Sequence, residues 1–279
     1  MAGLRHPAVA GTWYPGTATA LAAAVDRHLA ATTRDLTGDL VALIAPHAGL
    51  MYSGPVAAHA YRLLRGRAFD VAVLVGPSHF VAFDGVAVST DDFDTPLGAA
   101  ALDGTCAAAL MQAGRVVREY PAAHSREHSL EMQLPFLKRV APDVPIVPLV
   151  MGHQTASTAE ALGDALATVL RGRRALVIAS TDLSHYYDAA TAAALDRTVI
   201  ECVERFDADG LQGALDVRPD HACGGGPAVA VMRAARALGA TDAVVLQYAD
   251  SGDVSGDKSA VVGYLAAAFG RFAGGPPVP

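Results

Sequence analysis

Four histidines stand one loop-length behind strand-like apolar runs. VALIA is followed by Pro46-His47-Ala48-Gly49, VAVLV by Gly76-Pro77-Ser78-His79, VPIVPLV by Met151-Gly152-His153, and ALVIAS by Thr181-Asp182-Leu183-Ser184-His185. Imidazole is the commonest metal ligand in proteins and the usual proton carrier near neutral pH. Several converging on one crevice would form either a mononuclear metal site or an acid–base cluster. Cys223 adds a sulfur. In DHACGGGP it precedes a helical pattern, where the helix dipole and free N–H groups favour thiolate over thiol. That thiolate could ligate a metal or attack a carbon. Two pairs share a three-residue spacing: His128 with Glu131, on one helical face, suited to orienting each other or holding substrate; and Asp182 with His185, where the carboxylate could fix an imidazole tautomer.

These residues converge only if the chain folds in a particular way. Apolar runs of strand length at Leu40–Ala45, Val71–Val75, Val144–Met151, Ala175–Ala179 and Ala243–Gln247 alternate with amphipathic stretches. A further run, Ser259–Ala266, is a candidate strand. Helical patterns cover Ala18–Ala30, Pro55–Leu64, Ala101–Ala113, Thr158–Leu170, Ala189–Arg205 and Pro227–Leu238. The alternation predicts a single α/β domain, residues 1–272, with a mainly parallel central sheet flanked by helices. In such sheets ligands bind outside the carboxyl ends of the strands, where the four histidines fall. Pro121–Arg126 reads as loop, followed by a helix that Pro135 must kink or end. Asp84–Gly98 reads as an irregular insertion, and the Gly/Pro-rich residues 273–279 as a flexible tail.

Composition narrows the function. The chain has 279 residues, 52% of them hydrophobic and 18% charged, the reverse of the disordered signature. Lys and Arg number 21 against 28 Asp and Glu, which argues against a nucleic-acid partner. The start lacks an apolar run long enough for a signal segment and no long apolar run follows, so a cytoplasmic protein without a membrane partner is expected. Three cysteines without CxxC spacing fit a reducing compartment. Neither a G-x-x-x-x-G-K-[ST] nor a G-x-G-x-x-G phosphate loop is present.

The segments AGTWYPG, APHAGLMYSGPVAAHAY, GPSHF, TPLG, EHSLEMQLPF, STDLSHY, ACGGGP and QYADSGD, in this order between residues 10 and 253, resemble the Memo family, whose prokaryotic members are labelled AmmeMemoRadiSam system protein B. That family is similar in fold to the class III extradiol ring-cleaving dioxygenases. The resemblance implies metal ligands at His47, His79 and Cys223, an acid–base residue at His185, and a pocket lined by His128 and Glu131. It implies Fe(II), or alternatively Cu(I), because a thiolate in place of the dioxygenases' third carboxylate suits softer ions. It also implies a small organic substrate, O2 as a possible co-substrate, and a functional link to a radical-SAM protein. The chain departs from eukaryotic relatives at Gly224-Gly225, where they carry Arg-His, and at Phe80, where they carry a second histidine. His153 has no counterpart in the family pattern and is left out of the site.

Three functions compete. In a metal-dependent redox enzyme, His185 held by Asp182 moves the substrate proton. A hydrolase or transferase would use Cys223 as nucleophile with His185 or His128 as base. A non-catalytic adaptor would bind anions through Arg62, Arg65 and Arg67.

Overall fold

A computed structural model describes residues 3–113 and 115–273, and all of the tail expected at 273–279 except Ala273 lies outside the described residues. The strands are β1 (Leu4–Arg5), β2 (Gly38–Ala45), β3 (Val71–Pro77), β4 (Val86–Val88), β5 (Asp92–Phe93), β6 (Val117–Glu119), β7 (Ile146–Met151), β8 (Ala175–Ser180), β9 (His185–Tyr187), β10 (Asp242–Asp250) and β11 (Val261–Phe272). The helices are α1 (Ala18–Ala30), α2 (Leu50–Arg62), α3 (Gly104–Ala113), α4 (Pro121–His124), α5 (Leu134–Val140), α6 (Ala156–Leu170), α7 (Ala189–Glu204), α8 (Ala208–Val217), α9 (Gly225–Ala237) and α10 (Gly252–Ser255). They form the expected α/β domain, with a central sheet flanked by helices.

The main sheet runs β10-β11-β2-β8-β3-β7-β4-β6, with β9 pairing to β11. Its middle, β2-β8-β3-β7, is parallel, and here every residue of β3, β7 and β8 is buried. Helices cover both faces, so these strands read as unbroken apolar runs rather than alternating ones. The flanks differ from the expectation of a mainly parallel sheet. β11 is antiparallel to β2 and β10, and β4 is antiparallel to β7, so the sheet is mixed. Apolar runs carry no information about strand direction. One core lies between the sheet and α3, α6, α7, α8 and α9; the other lies beneath α1, α2 and α5.

Other differences have local causes. Pro55 sits inside α2, which begins five residues earlier because Leu50 N–H is anchored on the Trp13 carbonyl at 2.8 Å. Pro135 opens α5 instead of ending a helix: it occupies the first turn, where a missing N–H costs nothing. Pro121, which the sequence reading placed in a loop, starts the short helix α4 in the same way. The Asp84–Gly98 insertion contains two short strands, β4 and β5, and β5 pairs with the N-terminal β1.

Candidate metal centre

Two parallel strands of the central sheet deliver the first two histidines. β2 and β3 flank β8, so the loops at their carboxyl ends place His47 and His79 on either side of the Ser180–Asp182 segment that leaves β8. The approach to α9 brings Cys223 to the same point. Donor atoms of His47, His79 and Cys223 all lie within 4.8 Å of one another, and Cys223 Sγ is 3.3 Å from His47 Nε2. Two atoms bound to one ion at about 2.0 and 2.3 Å sit roughly 3.3–3.6 Å apart at near-tetrahedral angles.

Hydrogen bonds fix both imidazoles. Glu127 accepts from His79 Nδ1 at 2.8 Å and from His79 N–H at 2.6 Å. A carboxylate only accepts, so the proton is on Nδ1 and Nε2 is left with its lone pair. Behind His47 runs a buried chain. Tyr61 donates to Gln133 Oε1 (2.9 Å), Gln133 Nε2 to Ser180 Oγ (2.7 Å), and Ser180 to the Ser129 carbonyl (2.6 Å). Ser180 has spent its one hydrogen, so the 2.9 Å contact must be donated by His47 Nδ1, and this ring also presents a free Nε2. A partner on the far nitrogen is the usual support of a metal-binding histidine.

Electrostatics point the same way for the rings. Burial pushes the His47 imidazole well below its ordinary value, and the His79 and His128 rings push it further, so it is neutral and able to donate a lone pair at neutral pH. Burial, then His79, lowers His128 to about 4. Burial opposes ionisation of Glu127, but its bonds from His79 and Ser129 together prevail and hold it near 2. Asp182 is raised by burial to about 7, although the N–H groups of His47 (2.7 Å) and Ala48 (3.3 Å) favour its anion.

Cys223 corrects the expectation of a dipole-stabilised thiolate. α9 begins two residues later, at Gly225, so the sulfur is not over its first-turn N–H groups. It accepts one N–H, from Asp182 at 3.3 Å, while burial and the Asp182 carboxyl push the thiol well above its ordinary value. Without a cation beside it, this sulfur keeps its proton. The glycines after it serve packing: a Cβ on Gly224 would come within 2.4 Å of the Ser180 carbonyl, and one on Gly225 within 2.5 Å of Leu215.

The remaining sequence candidates fall in different places. His185 donates Nδ1–H to the Leu183 carbonyl at 2.7 Å, not to Asp182, whose carboxylate faces His47 instead; the expected Asp182–His185 pair does not form. A backbone carbonyl two residues away reaches the ring first. His128 stacks on His79 with centroids 4.5 Å apart, and Trp13 and Phe80 pack against it at 4.4 and 5.9 Å. Glu131 does not line this pocket and does not pair with His128. It is fully buried, bound to the Arg5 guanidinium, the N–H groups of Ala8 and Val9, and Tyr14 OH, and so clamps the N-terminal segment that carries Trp13. A 3₁₀ turn at Glu131–Gln133 replaces the α-helical spacing on which the pairing relied. His153 lies to the side, 2.9 Å from Asp84. Sequence reasoning missed Glu127, Ser180, Gln133 and Trp13. Two glutamates four apart gave no means of telling the one that orients a ligand from the one that clamps a chain.

The Memo-like protein family matches residues 5–268. A MEMO1 family protein of Methanosarcina mazei is 40% identical over 269 residues, covering 94% of this chain and 98% of its own. One from Methanothermobacter thermautotrophicus is 39% identical over 272 residues, with the same coverage. Among solved structures, the uncharacterized protein JW3007 of Escherichia coli K12 shares the fold at 15% identity, with a TM-score of 0.54, covering 83% of this chain and 100% of its own. No helix among the described residues is long and apolar enough to cross a membrane. With sequence identity near 40% over almost its whole length, and the motif histidines and cysteine gathered at one strand-end crevice, this chain belongs to the Memo family.

Proposed function

We propose that the protein is a mononuclear metal-dependent redox protein acting on a small organic substrate, with His47, His79 and Cys223 holding Fe(II) or, alternatively, Cu(I). The observation that carries this reading is the pair of imidazoles each held from behind at Nδ1, with His47 Nε2 3.3 Å from the Cys223 sulfur and a donor atom of His79 within 4.8 Å of both. Two nitrogens and one sulfur suit these ions, which when bound supply open positions for substrate and dioxygen and a one-electron couple.

The chain's own groups divide the rest of the work. Glu127 and Ser180 hold the two rings against rotation. His185, with Nδ1–H spent on Leu183, offers Nε2 as acceptor for a substrate hydroxyl proton. Asp182, poised near 7 and 4.0 Å from His47 Nε2, can hold or release a proton beside the ligands. Trp13 and Phe80 pack against His128, one tilted and one edge-on, as an aromatic wall that limits water at one side.

Protein purified without oxygen and reconstituted with Fe(II) or Cu(I) is expected to retain about one equivalent of metal, and His47→Ala or Cys223→Ser much less. Failure of the unaltered protein to fill with either ion overturns the reading. A cysteine nucleophile is the second reading, favoured by the 3.3 Å His47–Cys223 contact; the imidazole beside the sulfur is His47, not His185 or His128. Iodoacetamide separates them. A ligand thiol is protected until a chelator is added, whereas a nucleophile labels without one.

A further inference from the structure

The amino ends of β2 and β8 carry a cavity of about 350 Å³, at the opposite edge of the sheet from the candidate metal centre. Four guanidinium groups line it, those of Arg67, Arg173, Arg174 and Arg271, against one carboxylate, Asp39. The whole chain has a formal charge of −7, so this gathering of positive charge runs against its average. Of the three arginines that the sequence offers as an anion site, Arg67 is here, whereas Arg62 is held by Asp35 at 3.1 Å. Beneath the rim the surface is apolar, formed by the buried Leu40 and Leu170 and the half-buried Phe69 and Leu238.

The arginines are positioned by the protein without being used up by it. Arg67 donates through Nη1 and Nη2 to the carbonyls of Gly38 and Leu36. Those contacts fix the side chain without cancelling its charge, and no carboxylate pairs with it among the described residues. Arg173, Arg174 and Arg271 meet Asp103, Asp70 and Asp39, each through Nη2, at 2.7, 2.6 and 2.6 Å. Arg139, by contrast, grips Asp26 with both Nε and Nη2. One-point pairs at a surface are weak, and they leave most of each guanidinium's N–H groups without a protein acceptor. Four arginines against three aspartates leave one positive charge over, and Arg67 carries it.

We infer that this cavity binds a small organic phosphate, its head taken by the arginine rim and its apolar or aromatic skeleton by the floor. A phosphate monoester carries close to two negative charges at pH 7 and three terminal oxygens, which planar guanidinium forks bind two at a time. A carboxylate brings half the charge and one oxygen fewer. The volume is that of a small-molecule pocket. Seven residues separate Leu40 in the floor from His47, about 20 Å at the strand rise of 3.3 Å per residue, so the site does not rest on the metal-centre reading.

The test is calorimetric titration at pH 7 of metal-free and metal-loaded protein with phenyl phosphate, inorganic phosphate and phenol. Phenyl phosphate is expected to bind tightest and equally in both forms, with phenol weaker by about tenfold or more. Arg67→Met should weaken phenyl phosphate about tenfold, and Arg174→Met, at an exposed position, at least about threefold. Asp39→Asn removes a competing carboxylate and should tighten it. Arg197→Met, exposed on α7 and outside the cavity, makes the same change in net charge and should leave affinity within about twofold. Phenyl phosphate no tighter than phenol or inorganic phosphate, binding seen only with metal present, or a loss for Arg197→Met as large as for Arg174→Met overturns the inference. Should Arg67→Met fail to fold, since it also anchors the 36–38 segment, the Arg174, Asp39 and Arg197 variants decide it by themselves.

Discussion

Replacing Glu127 by Gln tests the support behind His79 most directly. The carboxylate receives four N–H groups: His79 N and Nδ1, His128 N at 2.9 Å and Ser129 N at 2.8 Å. A carboxamide can keep its oxygen toward three of them, but its NH2 then faces His79 N–H, donor against donor. The carboxyl titrates near 2 in the fold against an ordinary 4.5. At about 1.36 kcal/mol for each unit, ionisation contributes at most about 3 kcal/mol at pH 7. The figure is an upper one because part of the attraction requires a protonated His79. Since the folded value is depressed, this stabilisation is complete above the unfolded value and is lost as pH falls through the folded one; near pH 3 about 1.4 kcal/mol remains. Urea denaturation of both proteins at pH 7, 4 and 3 should show a gap that narrows with acid. Metal affinity at pH 7 should fall about 10- to 100-fold, the usual effect of altering the group behind a ligand's far nitrogen, because the partner of His79 Nδ1 loses its charge and its NH2 is pushed away by His79 N–H. A stability gap that does not change with pH, together with unchanged metal affinity, would refute the role given to Glu127.

Four further outcomes follow from other contacts. Ser180→Ala should weaken metal binding by about tenfold, seen by chelator competition, because His47 Nδ1 loses its acceptor while the fold keeps its packing. Glu131→Gln should destabilise the protein by roughly 3–5 kcal/mol in urea, since it leaves the buried Arg5 guanidinium without its counter-charge. The same variant should shift the emission of Trp13, the chain's single tryptophan, to the red as its segment leaves His128. Gly263→Ala should cost about 1–3 kcal/mol, because its Cβ would lie 1.9 Å from Asp196 Oδ2, which accepts from Tyr248 OH while Oδ1 accepts from Ser184 N–H; a melting temperature equal to that of the parent would contradict this.

The ligand candidates were legible because parallel strands bring the residues that follow them to one edge. Reading VALIA and VAVLV as parallel strands of one sheet puts His47 and His79 at the same edge. Cys223 was legible through the helix after it, but its charge state was not, because that depends first on burial and then on Asp182, a neighbour 41 positions away whose carboxyl faces the site. The opposite roles of Glu127 and Glu131 were invisible for a similar reason. One meets His79 and the other meets Arg5, and both partners come from distant segments. Spacing rules also failed where the local backbone was not helical, as at His128–Glu131 and Asp182–His185.

The place of β11 has a consequence for biogenesis. Ala267 sits opposite Ile44, so the strand leading to His47 cannot be paired on both sides until the last of the described strands has been made. The same strand pairs with β9 through Val262 and His185, which pins the loop carrying the acid–base candidate. A nascent chain stopped before residue 261 would thus expose an apolar edge and lack a finished crevice. Loading of the proposed metal is therefore expected to be a post-translational event, and chains shortened in this region should go to proteolysis rather than accumulate as partly folded forms.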